Sequence, residues 1–315
     1  MESLAANPSA GGASSKASDG ATEAGSLRRT ESHFHGHRGL TLFRRSWHPR
    51  EPTRTVALVH GFGEHSGRYE HVGSWFARRG VTVHSFDLRG HGRSGGKRGH
   101  VDSFADYLND LEFFLQTVSE EASPQPITLV GHSLGGLIVT ALAVERSPDV
   151  QSVVTSGAAL ALSPDLSGLK ISIARLLCKI FPRMSMNAGL APDLICTDRE
   201  VVARYVDDPL VHGTSSAAHA VSMIDQVGRL RGMGARVDVP MLLLHGALDQ
   251  LCMPVGSQSF YASMPNSAGS SGAPKAELRM YPRSSHEIFN DVEQESVFAD
   301  VLAWIEQHEQ AVEKI

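Results

Sequence analysis

The sequence predicts an α/β protein, with a mainly parallel central sheet, helices on both faces and a single helical insertion. Three observations carry that expectation. Short apolar, β-branched runs alternate with stretches of helical periodicity, and this alternation requires right-handed crossovers onto a parallel sheet. One apolar run enters a glycine-flanked serine and an alanine-rich run leaves it, the pattern of a strand, a sharp turn and a helix that exposes a serine hydroxyl. Residues 159–237 then break the rhythm, and an insertion of that size between sheet strands predicts a cap over a site at the strand ends.

Taken in order, residues 1–32 are rich in Ala, Ser and Gly, lack the apolar centre of a secretory signal, and read as a disordered tail. Lys16, Arg28 and Arg29 suit an organelle-targeting peptide, but Glu2, Asp19 and Glu23 argue against one, because such peptides avoid acids. Residues 33–158 are expected to form the first part of the core. Within them, 39–47 alternate as a strand at a sheet edge, 55–59 are a continuous apolar run suited to a buried parallel strand, 72–79 a short helix, and 81–83 the start of the next strand. Phe104, Leu108, Leu111, Phe114, Leu115 and Val118 recur at helical spacing, and residues 151–156 follow as a strand. The cap, 159–237, is largely helical, is broken by Pro164, Pro182, Pro192 and Pro209, and shows no convincing strand. Residues 238–315 complete the core, with strands at 239–246 and 276–281, a Gly/Ser-rich surface loop at 267–274, and an amphipathic helix from 291 to 313.

The bulk numbers narrow the function classes. With 315 residues, 41% of them apolar and 20% charged, the chain suits a globular protein. A net charge of −5 offers nothing to attract nucleic acid. Three scattered cysteines (Cys178, Cys196, Cys252) make neither a disulfide framework nor a zinc site, so a reducing, cytoplasmic setting is expected. No apolar run reaches membrane-spanning length.

The chemistry concentrates at Gly131-His132-Ser133-Leu134-Gly135-Gly136. A second Gly-x-Ser-x-Gly match, Gly92-Arg93-Ser94-Gly95-Gly96, has neither an entering strand nor a leaving helix, so Ser94 reads as a loop residue and Ser133 as the nucleophile. A serine hydroxyl needs an adjacent base, and the base needs an orienting acid. On a sheet of this kind acid and base follow the serine, each just past a late strand. Asp249 lies five residues beyond Leu244 and His286 five beyond Tyr281, and both fit; Asp225 and Asp238 are weaker rivals for the acid. Among the 16 histidines, His60, His91 and His132 precede the acid, His212 and His219 lie in the cap, and His308 is on the last helix. The backbone N–H of Leu134, together with that of Phe62 in His60-Gly61-Phe62-Gly63, is expected to meet the oxyanion formed on carbonyl attack. No metal or organic cofactor is required.

Four strings, His60-Gly61-Phe62-Gly63-Glu64-His65-Ser66-Gly67-Arg68-Tyr69, Asp87-Leu88-Arg89-Gly90-His91-Gly92-Arg93-Ser94, the serine motif, and Leu244-His245-Gly246-Ala247-Leu248-Asp249, resemble monoacylglycerol lipase and its lysophospholipase-like relatives among the α/β-hydrolases. So does Tyr205-Val206-Asp207-Asp208-Pro209-Leu210 in the cap. The resemblance implies a Ser133–His286–Asp249 triad, a helical cap with an apolar acyl tunnel, and a polar end for a glycerol head, lined or braced by Glu64, Arg68, His132 and Tyr205. For Glu64 and Arg68 a purely structural ion-pair network is an equal alternative. Cys252 matches a cysteine beside the acid that makes relatives thiol-sensitive; its alternative is a small core residue. Phe62 is bulkier than the alanine common in relatives, and Phe289 stands where some have a second histidine near the glycerol head. The expected reaction is hydrolysis of a monoacylglycerol through an acyl-enzyme. The alternatives are a lysophospholipase, a broad carboxylesterase, or a non-catalytic ligand-binding protein on the same fold. In residues 168–184, Leu169, Ile173, Leu176, Leu177 and Ile180 share one helical face, with Lys170, Arg175, Lys179 and Arg183 elsewhere. That helix either lies in a membrane interface or packs its apolar face inward.

Overall fold

The computed structural model describes residues 27–122, 124–162, 167–265 and 275–312. Eight strands form one sheet: Arg28–His35 (β1), Thr41–His48 (β2), Arg54–Val59 (β3), Val81–Phe86 (β4), Ile127–His132 (β5), Ser152–Ser156 (β6), and, beyond the cap, Met241–Gly246 (β9) and Ala276–Tyr281 (β10). Their order is β1-β2-β4-β3-β5-β6-β9-β10, and only the β1–β2 and β2–β4 pairs are antiparallel. The chain winds outward from β3 to β4 on one side and to β5 on the other. The carboxyl ends of β3 and β5 therefore flank the point where the winding reverses, the usual position of a ligand crevice in an open α/β sheet.

Alternate residues of each buried strand feed two cores. Ala57, Val59, Leu129 and Leu243 face a layer with helices Phe104–Ala122 (α2), Leu134–Arg146 (α3) and Val255–Ala262 (α7). Val56, Leu58, Val130, Leu242 and Leu244 face Glu70–Ala77 (α1) and Gln294–Val312 (α8), where Trp304 is almost fully buried. Every residue of α3 from Leu134 to Val144 is buried, so the helix is apolar on all sides and packs between the sheet and α2.

Three sequence expectations need correction. The expected tail ends too late: β1 begins at Arg28 and pairs with β2 along its length, from Arg28 opposite His48 to His35 opposite Thr41. Consequently β2 is not the edge. β1 carries Arg28, Arg29 and Glu31 on an exposed rim, and charges of this kind protect an edge from further pairing while hiding the strand from a search for apolar alternation. Within the cap, Ser185–Asn187 (β7) and Thr214–Ser216 (β8) form a small antiparallel ribbon, too short to show a period. The tail expectation for residues 1–26 and the Gly/Ser-rich loop at 267–274 lie outside the described residues. The α-helices of the cap are Gly168–Ile180 (α4), Arg199–Asp207 (α5) and Ala217–Leu230 (α6).

Two glycines explain the serine motif. A Cβ on Gly131 would lie 2.4 Å from the Gly135 carbonyl oxygen, and one on Gly135 would lie 2.2 Å from that of Val59 and 2.6 Å from that of His60. Both obstacles are backbone, so α3 can start tight against the ends of β5 and β3 only without side chains there. Gly135→Ala is expected to destabilise the fold by about 2–4 kcal/mol, read from the denaturant midpoint, because backbone has to move. A wild-type midpoint would contradict this close approach.

Candidate active site

At the turn after β5, Ser133 adopts φ 53° and ψ −113°, a left-handed conformation that costs about 1–3 kcal/mol for a non-glycine residue. The surroundings hold it there. Its N–H donates to the Ser156 carbonyl at 2.9 Å, and its carbonyl accepts from Leu137 at 3.0 Å and Ala159 at 3.2 Å. The hydroxyl stands 3.9 Å from the Cys252 thiol. Burial and the neighbouring Asp249 charge push that thiol far above its ordinary range, so it is no competing thiolate. Ser94 is tied into its loop: Oγ accepts from the Phe43 N–H at 2.9 Å and donates to the Asp87 carbonyl at 2.5 Å.

β9 and β10 pair in parallel with Gly246 opposite Tyr281, so the loops after them leave side by side. His286 Nδ1 lies 2.7 Å from Asp249 Oδ2. Because a carboxylate only accepts, Nδ1 carries the proton and Nε2 is left with a lone pair, the tautomer a base requires. Asp249 is 2% exposed, and Oδ1 accepts the N–H groups of Leu251 and Cys252, each at 2.9 Å. Burial alone would raise its pKa; the His286 charge and hydrogen bonds from His245 and His286 hold it well below the carboxylate range instead. For His286 burial alone would lower the pKa, but the Asp249 charge and hydrogen bond, with Glu287 and Glu64, raise it above 6.5. Asp225, one of the two weaker rivals for the acid, pairs with Arg175 in the cap at 2.6 Å, whereas the carboxylate bonded to His286 is that of Asp249.

The turn after β3 is shaped by buried charge. Glu64, 2% exposed, accepts from the Gly61 N–H at 2.6 Å and the Tyr69 hydroxyl at 2.7 Å through Oε1, and from Arg68 at 2.9 Å through Oε2. Arg68 also makes a two-pronged bond to Glu287, at 2.5 and 2.7 Å, and lies 4.7 Å over the Tyr205 ring. Burial opposes the charged form of Glu64, yet Arg68 and the other donors lower its pKa. Glu64 and Arg68 thus form the ion-pair network that the sequence left as an equal alternative. Glu287, which sequence reasoning missed, completes it. His132 packs against His286 with ring centroids 4.8 Å apart, and burial lowers its pKa to about 3, so it buttresses the base as a neutral ring. Phe289 does not face this region: it is 2% exposed and packs on Tyr69 and Phe298.

A cavity of about 340 Å³ joins these parts. Ser133, His286, His132, Glu64, Tyr205 and Glu287 line it together with the apolar side chains of Leu162, Leu190, Met223, Ile224, Val227 and Leu251. The cap is latched to the β3 turn by the His212 N–H on the Gly63 carbonyl at 2.8 Å and by His65 on Asp208 at 2.8 Å. The Phe62 ring stacks on His219 at 5.0 Å and meets His91 and His212 edge-on, each at 5.7 Å, filling space that a smaller residue would leave open. Among the described residues, no group of three or more His, Cys, Asp or Glu side chains is arranged to hold a metal ion.

An eight-stranded, mainly parallel sheet with a serine at a strained strand-to-helix turn, a late acid–base pair and a helical cap defines a serine hydrolase of the α/β-hydrolase fold. A profile of the family described as "Serine aminopeptidase, S33" matches residues 50–293, and the chain belongs to that hydrolase family. It is 33% identical over 285 residues to a monoacylglycerol lipase of Mycolicibacterium smegmatis, covering 90% of this chain and 99% of that one. Among solved structures, the monoacylglycerol lipase of Paleococcus ferrophilus superposes with a TM-score of 0.75 at 33% identity, covering 85% of this chain and 99% of its own. A soluble variant of the Saccharomyces cerevisiae monoglyceride lipase, in complex with a substrate analogue, gives 0.78 at 26% identity, with 88% and 94% covered.

The raised pKa of His286 has two opposite consequences. Activity needs the neutral ring, so the acid limb of kcat/KM is expected above pH 6.5. The protonated ring paired with Asp249 stabilises the fold fully below 6.5, and that increment disappears as pH rises through the raised value. Asp249→Asn is expected to lower kcat by about 10⁴-fold through loss of the tautomer. It should also bring any residual acid limb down. Ester turnover followed from pH 5 to 9 checks both, and an unmoved limb in Asp249→Asn would contradict the pairing.

Proposed function

We propose that the chain hydrolyses the ester of a monoacylglycerol to glycerol and a free fatty acid. Ser133 Oγ turns from the Cys252 thiol toward His286 Nε2, gives up its proton and attacks the ester carbonyl. The N–H groups of Phe62 and Leu134 receive the oxyanion, and each such donor contributes about 3–4 kcal/mol in a preorganised site. His286 returns the proton to the leaving glycerol oxygen, and water then releases the acid by the same route in reverse. The observation that carries this reading is the buried Asp249–His286 pair, at 2.7 Å, whose imidazole lines the same cavity as the strained serine.

The headgroup follows from charge. Among the described residues lining the cavity there is no Lys or Arg, and the nearby guanidinium of Arg68 is already occupied by Glu64 and Glu287. A lysophospholipid phosphate finds no free cation there. A neutral glycerol head, satisfied by hydrogen bonds, fits best. Monooleoylglycerol is expected to exceed lysophosphatidylcholine in kcat/KM by about tenfold or more, a difference of about 1.4 kcal/mol. Ser133→Ala should lose both activities by at least about 10³-fold. A preference for the lysophospholipid, or full activity in the alanine variant, would overturn the reading.

The cap also supports contact with a lipid surface. No residue of α4 is buried, and Leu169, Ile173, Leu176, Ile180 and the following Phe181 are 49–72% exposed. Leu177 leaves that face and is half-buried with Ile171, Ala174 and Cys178, so the helix is apolar toward both the cap and the outside. Lys170, Arg175, Lys179 and Arg183 flank the exposed stripe, an arrangement suited to an anionic membrane interface. Among the described residues no helix is long and apolar enough to cross a membrane. Leu169→Glu with Leu176→Glu is expected to weaken binding to phosphatidylglycerol vesicles by about tenfold or more while leaving turnover of a water-soluble ester unchanged. Undiminished vesicle binding would count against the interface.

A further inference from the structure

His245, at the end of β9, is completely buried and belongs to no role assigned so far. Its Nε2 lies 3.0 Å from Asp249 Oδ2 and 2.6 Å from the Cys252 carbonyl oxygen. Both partners only accept, so Nε2 carries a proton shared between them. Nδ1 lies 2.8 Å from the hydroxyl of Ser257, a fully buried residue of α7, and with Nε2 as donor it is free to accept that hydroxyl proton. Two imidazoles, that of His245 on β9 and that of His286 in the loop after β10, therefore meet on the same carboxylate oxygen.

We propose that His245 is a positioning residue for the reaction: it fixes the rotation of the Asp249 carboxylate and holds the Cys252 segment that packs against Ser133. The proposal rests on the triad reading above. Its physical basis is a count of donors. Oδ1 is held by the Leu251 and Cys252 N–H groups, which come from the loop that carries Asp249 itself and move with it. On Oδ2 the moving catalytic ring His286 is one donor, and His245, anchored in the sheet, is the other. Without His245 the carboxylate would be oriented only by its own loop and by the group it has to orient. The same N–H ties down the Cys252 carbonyl, so the thiol beside Ser133 shares the anchor. Ser257 sets the tautomer: were its hydroxyl absent, the ring would be free to protonate Nδ1 and turn a bare lone pair toward a carboxylate. The charged or titratable side chains meeting Asp249 are His245 and His286, with the Cys252 thiol nearby.

The experiment compares His245→Leu, His245→Gln and Ser257→Ala with the wild type, using a water-soluble p-nitrophenyl ester. His245→Leu is expected to lower kcat by about tenfold or more with KM within about twofold, since no substrate contact is lost. It should also move the acid limb of kcat/KM to lower pH, because a wandering Asp249 supports the His286 cation less well. Glutamine keeps a side-chain N–H at the reach of Nε2, so His245→Gln should retain the wild-type limb and most of kcat. Ser257→Ala, a smaller change, should shift the limb in the same direction as leucine and serves if the leucine variant does not fold. A folded leucine variant, or a folded Ser257→Ala, with wild-type kcat and limb overturns the proposal. If the wild type itself hydrolyses no ester, the functional reading has failed instead, and the two failures are distinct.

Discussion

The carboxylate of Asp249 is buried in a place where an unpaired charge would be costly, and much of the site is arranged to keep it charged. It takes two backbone N–H groups on one oxygen and two imidazoles on the other. Burying a carboxylate in low dielectric costs several kcal/mol, and only a nearly complete set of donors offsets that cost. The set here comes from β9, its following loop and the loop after β10, so the parallel pairing of β9 with β10 is what brings the donors together. A slip of one residue in that register would reverse which residues face the carboxylate. Asp249 then fixes one ring nitrogen of His286 as a donor and leaves the other with the lone pair that the proposed base needs. In this way the sheet register reaches the chemistry through one short hydrogen bond.

A second buried charge system adjoins the first. Glu64 and Glu287 share the single guanidinium of Arg68, and Glu64 also accepts the Gly61 N–H, next to the Phe62 N–H that we propose as an oxyanion donor. A network of this kind is weak evidence for stability but effective at holding geometry, because every member is satisfied. With two carboxylates on one guanidinium, the network leaves no cation free toward the cavity. The cap closes over that cavity through the β3 turn, with Phe62 stacked on His219. Burial lowers the pKa of His219 to about 4, so at neutral pH the stack is between two uncharged rings.

Much of this was legible in the sequence, and what was not has identifiable causes. Ser133, Asp249 and His286 stood out because each follows a strongly apolar strand by a few residues, and strand ends are where an α/β sheet presents its chemistry. The same context argues against Ser94, whose side chain is bonded to the backbone of Phe43 on β2 and of Asp87. His245 escaped notice because it reads as the last residue of an apolar strand, and nothing local reveals that it faces a carboxylate four residues on. Glu287 was hidden by adjacency to the base, since its partner Arg68 lies 219 positions away. β1 shows no apolar alternation because most of its residues are polar and exposed; it is held by pairing with β2 and by Phe34, which packs on Phe86 and Phe114. In α4 the helical stripe was visible, but which way it faced was not, because periodicity gives a phase relative to itself and not to the cap.

The account depends most on the claim that Ser133, and not the serine of the second Gly-x-Ser-x-Gly match, is the nucleophile activated by His286. The most direct measurement is peptide mapping by mass spectrometry after brief exposure of the native protein to a fluorophosphonate. The account predicts a single phosphonylated serine, in the peptide spanning residue 133, with labelling that is lost in His286→Ala and in protein unfolded beforehand. Modification at Ser94, or labelling of Ser133 that is indifferent to His286, would contradict it.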